Sequence, residues 1–451
     1  MFPCSFLPIQ FSLNKVLRDE NKISGHRTEY EGYFRENDSL DKSSVITVIK
    51  PLIRAIRTLK DMYSINDKEI QLPFKEDLDF ILNYNFDAKK IKHFETYPIQ
   101  TIFNIFEKAL DFHYEYGNDI ITSYLNFLDK LEESKISNNN LNLHVNKKTK
   151  LEIDQMVKDS ITEKLRNIGV VEYLQVNEND SEYFLNLRNH KSLHSLLKVY
   201  YGSVQFVVGA LMARRQSEIN SMEIDCFDEI NLQLHFRKSK SYQHSFGIKD
   251  YISLPCPEIV IELLKNINKI SKRLNSEKTN KIFFLPNQYF PLKEVKCKKK
   301  IYENFDNMFD YFEVDLIDGK RPYIRQHQLR RFFAMAFFWS SGFKSIDTLR
   351  WFMGHTNAEH VYNYIKENTT GEVLNNVKAQ YISENIKDYK NLEEIFKNKY
   401  KISNYNLIEK EDLSDYINAM LEDNLITVEP EFLENDNGQK FEIIVKVKNN
   451  E

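Results

Sequence analysis

Cysteine is scarce in this chain, and its scarcity excludes several classes of protein. The 451 residues hold four cysteines, Cys4, Cys226, Cys256 and Cys297, far apart and without a C-x-x-C pair. Such spacing offers neither a disulfide framework nor a zinc-ligand set. It fits a reducing, cytosolic setting. No apolar run is read as approaching the length of a membrane span. The start, Met1 to Phe11, is apolar but short, contains prolines and lacks a basic leading segment, so it is not expected to be a signal peptide. Walker-type phosphate loops and dinucleotide fingerprints are missing, as are internal repeats. An overall excess of positive charge is missing too, since the formal net charge is −4.

The distribution of charge says more than its total. Residues 181–370 carry 28 Lys+Arg against 20 Asp+Glu, whereas 1–180 carry 24 against 29 and 371–451 carry 10 against 17. The basic excess therefore sits in one segment, as contacts to a polyanion require, although an ordinary solvated surface can show the same. Hydrophobic residues make up 42% of the chain, enough for real cores, and the length suits two or three domains.

Within the basic segment lies HQLRRFFAMAFFWSSGFKSIDTLRWFMGHTNAEHVYNYI, starting at His327. His327 and Arg330 are three apart at the start of an apolar run, which on a helix brings imidazole and guanidinium to one face. Gly342 stops the run. Ser345 then opens a short helix from Ile346 to Met353, ended by Gly354. Thr356 and Glu359 form a T-x-x-E capping box, so a third helix begins there and carries Tyr362 and Tyr364. Arginine suits bidentate phosphate binding, tyrosine is a possible nucleophile, and histidine moves protons. Any one of these residues alone is ordinary helix filler. The order and spacing carry the signal.

H-x-L-R, then L-x-x-x-M-G-H, then a tyrosine nine residues after the second histidine resembles the C-terminal signature of the tyrosine recombinases, the phage-integrase family. An earlier arginine in an R-x-S-E-[LI] context belongs to the same pattern. Arg215-Gln216-Ser217-Glu218-Ile219 supplies it. Arg214 is an equally charged neighbour, but Glu218 and Ile219 fall three and four residues after Arg215, as in the family. Ile230–Lys240 alternates Leu232, Leu234 and Phe236, and a polar turn leads to a second β-rich run at Tyr251–Pro255, so a hairpin is expected. The family carries a catalytic lysine on such a hairpin. Lys238 and Lys240 compete, and Lys240 is preferred because S-K-S resembles the family's frequent S-K-T.

The resemblance covers residues 185–370 and implies a mainly α fold with a small antiparallel β-sheet (α+β): a helical N-terminal core-binding domain followed by a catalytic domain. The expected organisation is an extension at 1–43, a DNA-clamping helical domain at 44–150, a connector at 151–184, the catalytic domain at 185–370 and an acidic extension at 371–451. Helices are expected within 44–59, 75–84, 98–115, 118–133 and 150–167, at 193–212 and at 256–273. The Asn/Ser-rich stretch 134–146 reads as a linker. Lys293–Lys300, with five lysines in eight residues, reads as a phosphate track or an exposed loop. In the tail, helices are expected at 374–389, 392–400 and 413–421, and a strand at 441–447. Val373, Val377, Tyr381 and Ile386 are expected to dock on a neighbouring protomer, with folding back onto the same chain as the alternative.

By resemblance, the catalytic set is Arg215, Lys240, His327, Arg330, His355 and Tyr364, with Tyr362 as a rival nucleophile. The implied activity is site-specific cutting and rejoining of DNA through a 3′-phosphotyrosine, without metal, cofactor or ATP, for integration or excision of a mobile element. The implied partner is double-stranded DNA, with four protomers on two sites, room for accessory DNA-bending proteins and no membrane. The implied location is cytoplasmic, with the nucleoid. Two alternatives stay open: type IB topoisomerase-like relaxation, and a DNA-binding regulator that has lost activity.

Overall fold

The computed structural model describes residues 27–32, 54, 58, 97–134, 147–174, 181–237, 251–274, 280–286, 301–354, 358–366, 371–402, 404, 408–435 and 438–447. The helices read at 75–84 and, apart from Arg54 and Thr58, at 44–59 lie outside them. So do most of the 134–146 linker and Lys293–Lys300. The described chain is mainly helical, with one three-stranded and one two-stranded antiparallel sheet.

Helix α1 (Ile99–Phe112) buries Ile102, Ile105, Ala109 and Phe112, a stripe at three- and four-residue steps. One π turn, His113–Gly117, joins it to α2 (Asn118–Glu133). Helices α3 (Lys147–Ser160), α4 (Glu163–Asn167) and α5 (Tyr183–Arg188) follow. They lead to α6 (Leu193–Met212), capped by Ser192, whose Oγ accepts from the Ser195 amide at 3.2 Å. Contrary to the sequence reading, α6 is long and apolar enough to cross a membrane by length and composition, but 94% of the apolar window is buried inside the protein. A helix hydrophobic all round is one packed on all sides, and α6 is the axis of the first core.

After α6 come α7 (Gln216–Ile219) and the strands β1 (Phe227–Asp228), β2 (Gln233–Arg237) and β3 (Tyr251–Pro255). In the β2–β3 pair Leu234 faces Leu254 and Phe236 faces Ile252. Next are α8 (Glu258–Leu274), α9 (Ile301–Tyr311), α10 (Gln326–Ser341), α11 (Ile346–Met353) and α12 (Ala358–Lys366). The tail supplies α13 (Gly371–Glu384), α14 (Glu393–Lys399), α15 (Lys410–Glu422) and a hairpin of β4 (Ile426–Asn435) with β5 (Gly438–Val447).

Two cores meet at α10. The first runs from Tyr97 to Phe332 and packs α1, α2, α8 and α9 around α6, with α3 against α2. Helices placed by the sequence in a separate clamp (44–150) and in a connector (151–184) thus share this core with α6. The second core begins with Ala213, Ala334 and Phe338 and continues through α11 and α12 to Val445. Here the expectation for the tail needs correction. Ile386 is buried in this second core, and Val377 and Tyr381 pack against it. Val377, Tyr381 and Ile386, read as a dock for a neighbouring protomer, are engaged within their own chain, because α10–α12 present an apolar face that the tail covers, while the Val373 side chain lies outside the described residues.

Helices α6 and α9 approach tightly at Gly202, where an added Cβ would lie 2.4 Å from the Asn304 carbonyl oxygen. Gly202→Ala is expected to lower stability by about 1–3 kcal/mol, the scale of overpacking against a backbone that cannot yield. Gly371→Ala, with nothing within 4 Å, serves as the control. Urea unfolding compares them, and equal midpoints would contradict the close approach.

Candidate functional site

The turn that carries Arg215, the start of α10 with Arg330, and the Met353–Gly354 end of α11 meet where α6 ends. An α-helix leaves its last carbonyls without intrahelical partners, and here side chains from elsewhere cap them. Arg214 Nε donates to Met212 O at 2.7 Å, Arg330 Nη1 to Ala213 O at 2.5 Å, and Gln326 Nε2 to Gly209 O at 3.2 Å and, in the turn just beyond the helix, to Arg214 O at 3.0 Å. Ala213 takes a left-handed conformation (φ 51°), which turns the chain sharply out of the helix. The two arginines also reach the end of α11. Arg214 Nη2 donates to Phe352 O, and Arg330 Nη2 donates to Met353 O at 2.6 Å. Each guanidinium therefore joins one terminal carbonyl of α6 to one terminal carbonyl of α11. Gly354, in the left-handed region at φ 65°, ends α11, as its position in M-G-H predicted.

Arg215 follows immediately. Its amide donates to Glu218 Oε2 at 3.0 Å and its Nη1 to Glu218 Oε1 at 3.1 Å. Glu218 is buried while the Arg215 side chain is 28% exposed, so the carboxylate fixes both the backbone and the fork of a guanidinium that solvent can still reach. The R-x-S-E spacing places this pair on one turn of helix.

His327 and Arg330 both lie in the first turns of α10, but in different surroundings. His327 is exposed, whereas Arg330 is 4% exposed and committed to carbonyls. The shared face read from the sequence spans the boundary between solvent and interior. Arg331, the next residue, is buried as well.

Tyr362 and Tyr364 both belong to α12. Tyr362 is 2% exposed and donates its hydroxyl to Glu429 Oε2 on β4 at 3.1 Å. Burial first, then the Glu429 charge, push its pKa far above the usual phenol value. Glu429 is in turn held below the usual carboxylate range, against the upward push of burial, by Lys378 and Lys366. Tyr362 is thus a structural tie between α12 and the tail. Tyr364 lies in the last turn of the same helix. Its side chain, and all of Lys238, Lys240 and His355, lie outside the described residues.

Sequence reasoning passed over Arg214. It is 1% exposed, and its guanidinium carbon lies 4.7 Å from the Phe236 ring centroid and 5.3 Å from that of Phe352. Burial, then the neighbouring Arg330 charge, lower its pKa to about 9. It still carries its charge at neutral pH. The only signal in the sequence was a second arginine beside the expected one.

No protein-family model matches the chain, and no curated protein matches it. Solved structures similar to it include the crystal structure of XerA recombinase, 14% identical, with TM-score 0.30, covering 62% of this chain and 98% of that one. The Tn1549 transposon integrase in complex with transposon right end DNA is 12% identical, with TM-score 0.33, covering 74% and 99%. The same integrase with circular intermediate DNA is 13% identical, with TM-score 0.31, covering 68% and 94%. Both proteins are tyrosine recombinases. At these scores the likeness says nothing further about chemistry, which has to be read from the residues.

Proposed function

We propose that this chain is a site-specific DNA recombinase that cuts and rejoins DNA through a 3′-phosphotyrosine. The observation that supports it most is the double arginine tie, which brings Arg215, the α10 residue Arg330 and the chain leading into His355 together from three distant parts of the sequence.

The chemistry requires a nucleophile, positive charge at the phosphate and a proton for the leaving oxygen. Tyr364 Oη attacks the phosphorus, the bond to the 5′ oxygen breaks, and Lys240 supplies that oxygen with a proton. His327, exposed at the start of α10, helps move the tyrosine proton, and His355 hydrogen-bonds the phosphate. Arg215 receives the nonbridging oxygens with its fork. Arg330 adds charge from behind the turn, and a direct phosphate contact requires it to exchange a carbonyl for an oxygen of the phosphate. The phosphotyrosine conserves the energy of the phosphodiester, and a 5′-hydroxyl from a partner strand reverses the step. Four protomers on two DNA sites, serving a mobile element, complete the reading.

The test uses nicked duplexes made from the DNA flanking the coding region, so that the short product diffuses away and the adduct accumulates. A denaturant-resistant adduct on the 3′ end, with a free 5′-hydroxyl opposite, is expected in the presence of EDTA. Duplexes that are bound but yield no adduct would leave a DNA-binding regulator. Relaxation of a plasmid lacking any target would favour the topoisomerase-like reading.

A further inference from the structure

Arg214 is expensive to bury. Its guanidinium lies against two aromatic rings with neutral carbonyls as hydrogen-bond partners, and burial and the Arg330 and Arg215 charges lower its pKa more than the nearby Glu218 carboxylate raises it. A leucine or methionine against Phe236 and Phe352 would fill the space without removing a charge from water. Packing alone therefore does not account for an arginine here. What the arginine adds is reach in three directions. It holds Met212 O at the end of α6, Phe352 O at the end of α11, and the Phe236 ring on β2.

We propose that Arg214 is a positioning residue for strand transfer, locking the lysine-bearing hairpin and the α11 end onto the turn that presents Arg215. This rests on the recombinase reading. Along the sequence, Lys238 and Lys240 follow Phe236 by two and four residues, and His355 follows Phe352 by three. The stacked guanidinium thus anchors the two segments from which the general acid and the phosphate-binding histidine are reached. Its planar fork does this work. A lysine ammonium cannot stack against two rings and bridge two carbonyls at once.

Arg214→Met and Arg214→Lys test the proposal, each measured for DNA binding, thermal melting and the rate of adduct formation. Two nicked substrates are used, one with an ordinary 5′-bridging oxygen and one with sulfur in its place. Sulfur leaves without a proton, so it bypasses the hairpin lysine. Both variants are expected to lose adduct formation on the oxygen substrate by ~100-fold, the scale of a lost preorganised contact, with affinity for DNA nearly unchanged. The sulfur substrate is expected to restore at least ~10-fold of that loss, since only the lysine-dependent part is bypassed. A residue that merely stabilises the fold would slow both substrates equally, and that result, or wild-type rates in Arg214→Met, overturns the proposal. If both variants unfold, Phe236→Leu decides. It removes the hairpin side of the stack and leaves Arg214 its carbonyls, and a sulfur-selective rescue is expected again. Equal rates on both substrates relative to wild type would overturn it. Absence of any adduct with the wild-type chain would instead refute the recombinase reading itself.

Discussion

Tyr364→Phe is expected to abolish the denaturant-resistant DNA adduct, at least ~10⁴-fold below wild type on the scale of losing an essential nucleophile, while DNA binding stays within about 2-fold because one hydroxyl is removed from a large interface. The companion Tyr362→Phe is expected to keep the adduct. The Tyr362 hydroxyl is buried against Glu429, and its pKa is driven up by burial and by that carboxylate. A phenol in such a place neither reaches a phosphate nor gives up its proton readily. Removing it leaves Glu429 paired with Lys366 and Lys378, at a cost of about 1 kcal/mol in stability, the ordinary value of one hydrogen bond. An adduct that survives Tyr364→Phe and disappears in Tyr362→Phe would reverse the assignment. It would also require α12 to leave the tail.

The junctions around α11 were legible because each depends on local chemistry. Gly342 and Gly354 adopt the positive φ that ends a helix, and the hydrophobic period in between leaves little choice of face. The β2–β3 hairpin was legible from Leu234 and Phe236, which are buried. The same alternation included Leu232, which instead sits in the turn at φ 51° and is 40% exposed. Periodicity cannot distinguish the last residue of a turn from the first of a strand. What stayed hidden was long-range. Nothing near Arg330 in the sequence says that its fork will hold the carbonyls of Ala213, just past α6, and of Met353, and nothing near Arg214 says that two rings will lie against it. Strand β4 was missed because Thr427-Val428-Glu429-Pro430-Glu431 carries a proline and two acids. Its pairing with β5 places Pro430 opposite Ile443 in a sheet of only two strands, where a proline can turn its missing donor outward.

The fold of the tail changes what its removal should do. On the sequence reading, with the tail docked on a neighbouring protomer, truncation after Glu367 leaves single-site DNA binding largely unchanged and impairs synapsis and strand exchange. In the structure the same cut removes Leu374, Ile382, Leu392, Phe396, Ile417, Met420, Ile426 and Val445 from a core whose other half is Phe338, Phe343, Ile346, Leu349, Val361 and Ile365. Each such side chain contributes roughly 1.5–3 kcal/mol by burial, and a whole domain is stable by only about 5–15 kcal/mol. Re-exposing even a few therefore exceeds what α10–α12 can withstand. The truncated chain is expected to lose its cooperative thermal transition and to aggregate, and to lose both single-site DNA binding and adduct formation. Ile417→Ala offers a milder probe. It should cost about 2–5 kcal/mol, as cavities in cores do, and should lower the melting temperature before it touches the adduct rate measured well below that temperature. Differential scanning calorimetry on the full-length, truncated and Ile417→Ala chains would decide the matter. A truncated protein that melts within a few degrees of full length and still binds one DNA site would mean that the tail is a separate module, and its role in joining protomers would return as the better reading.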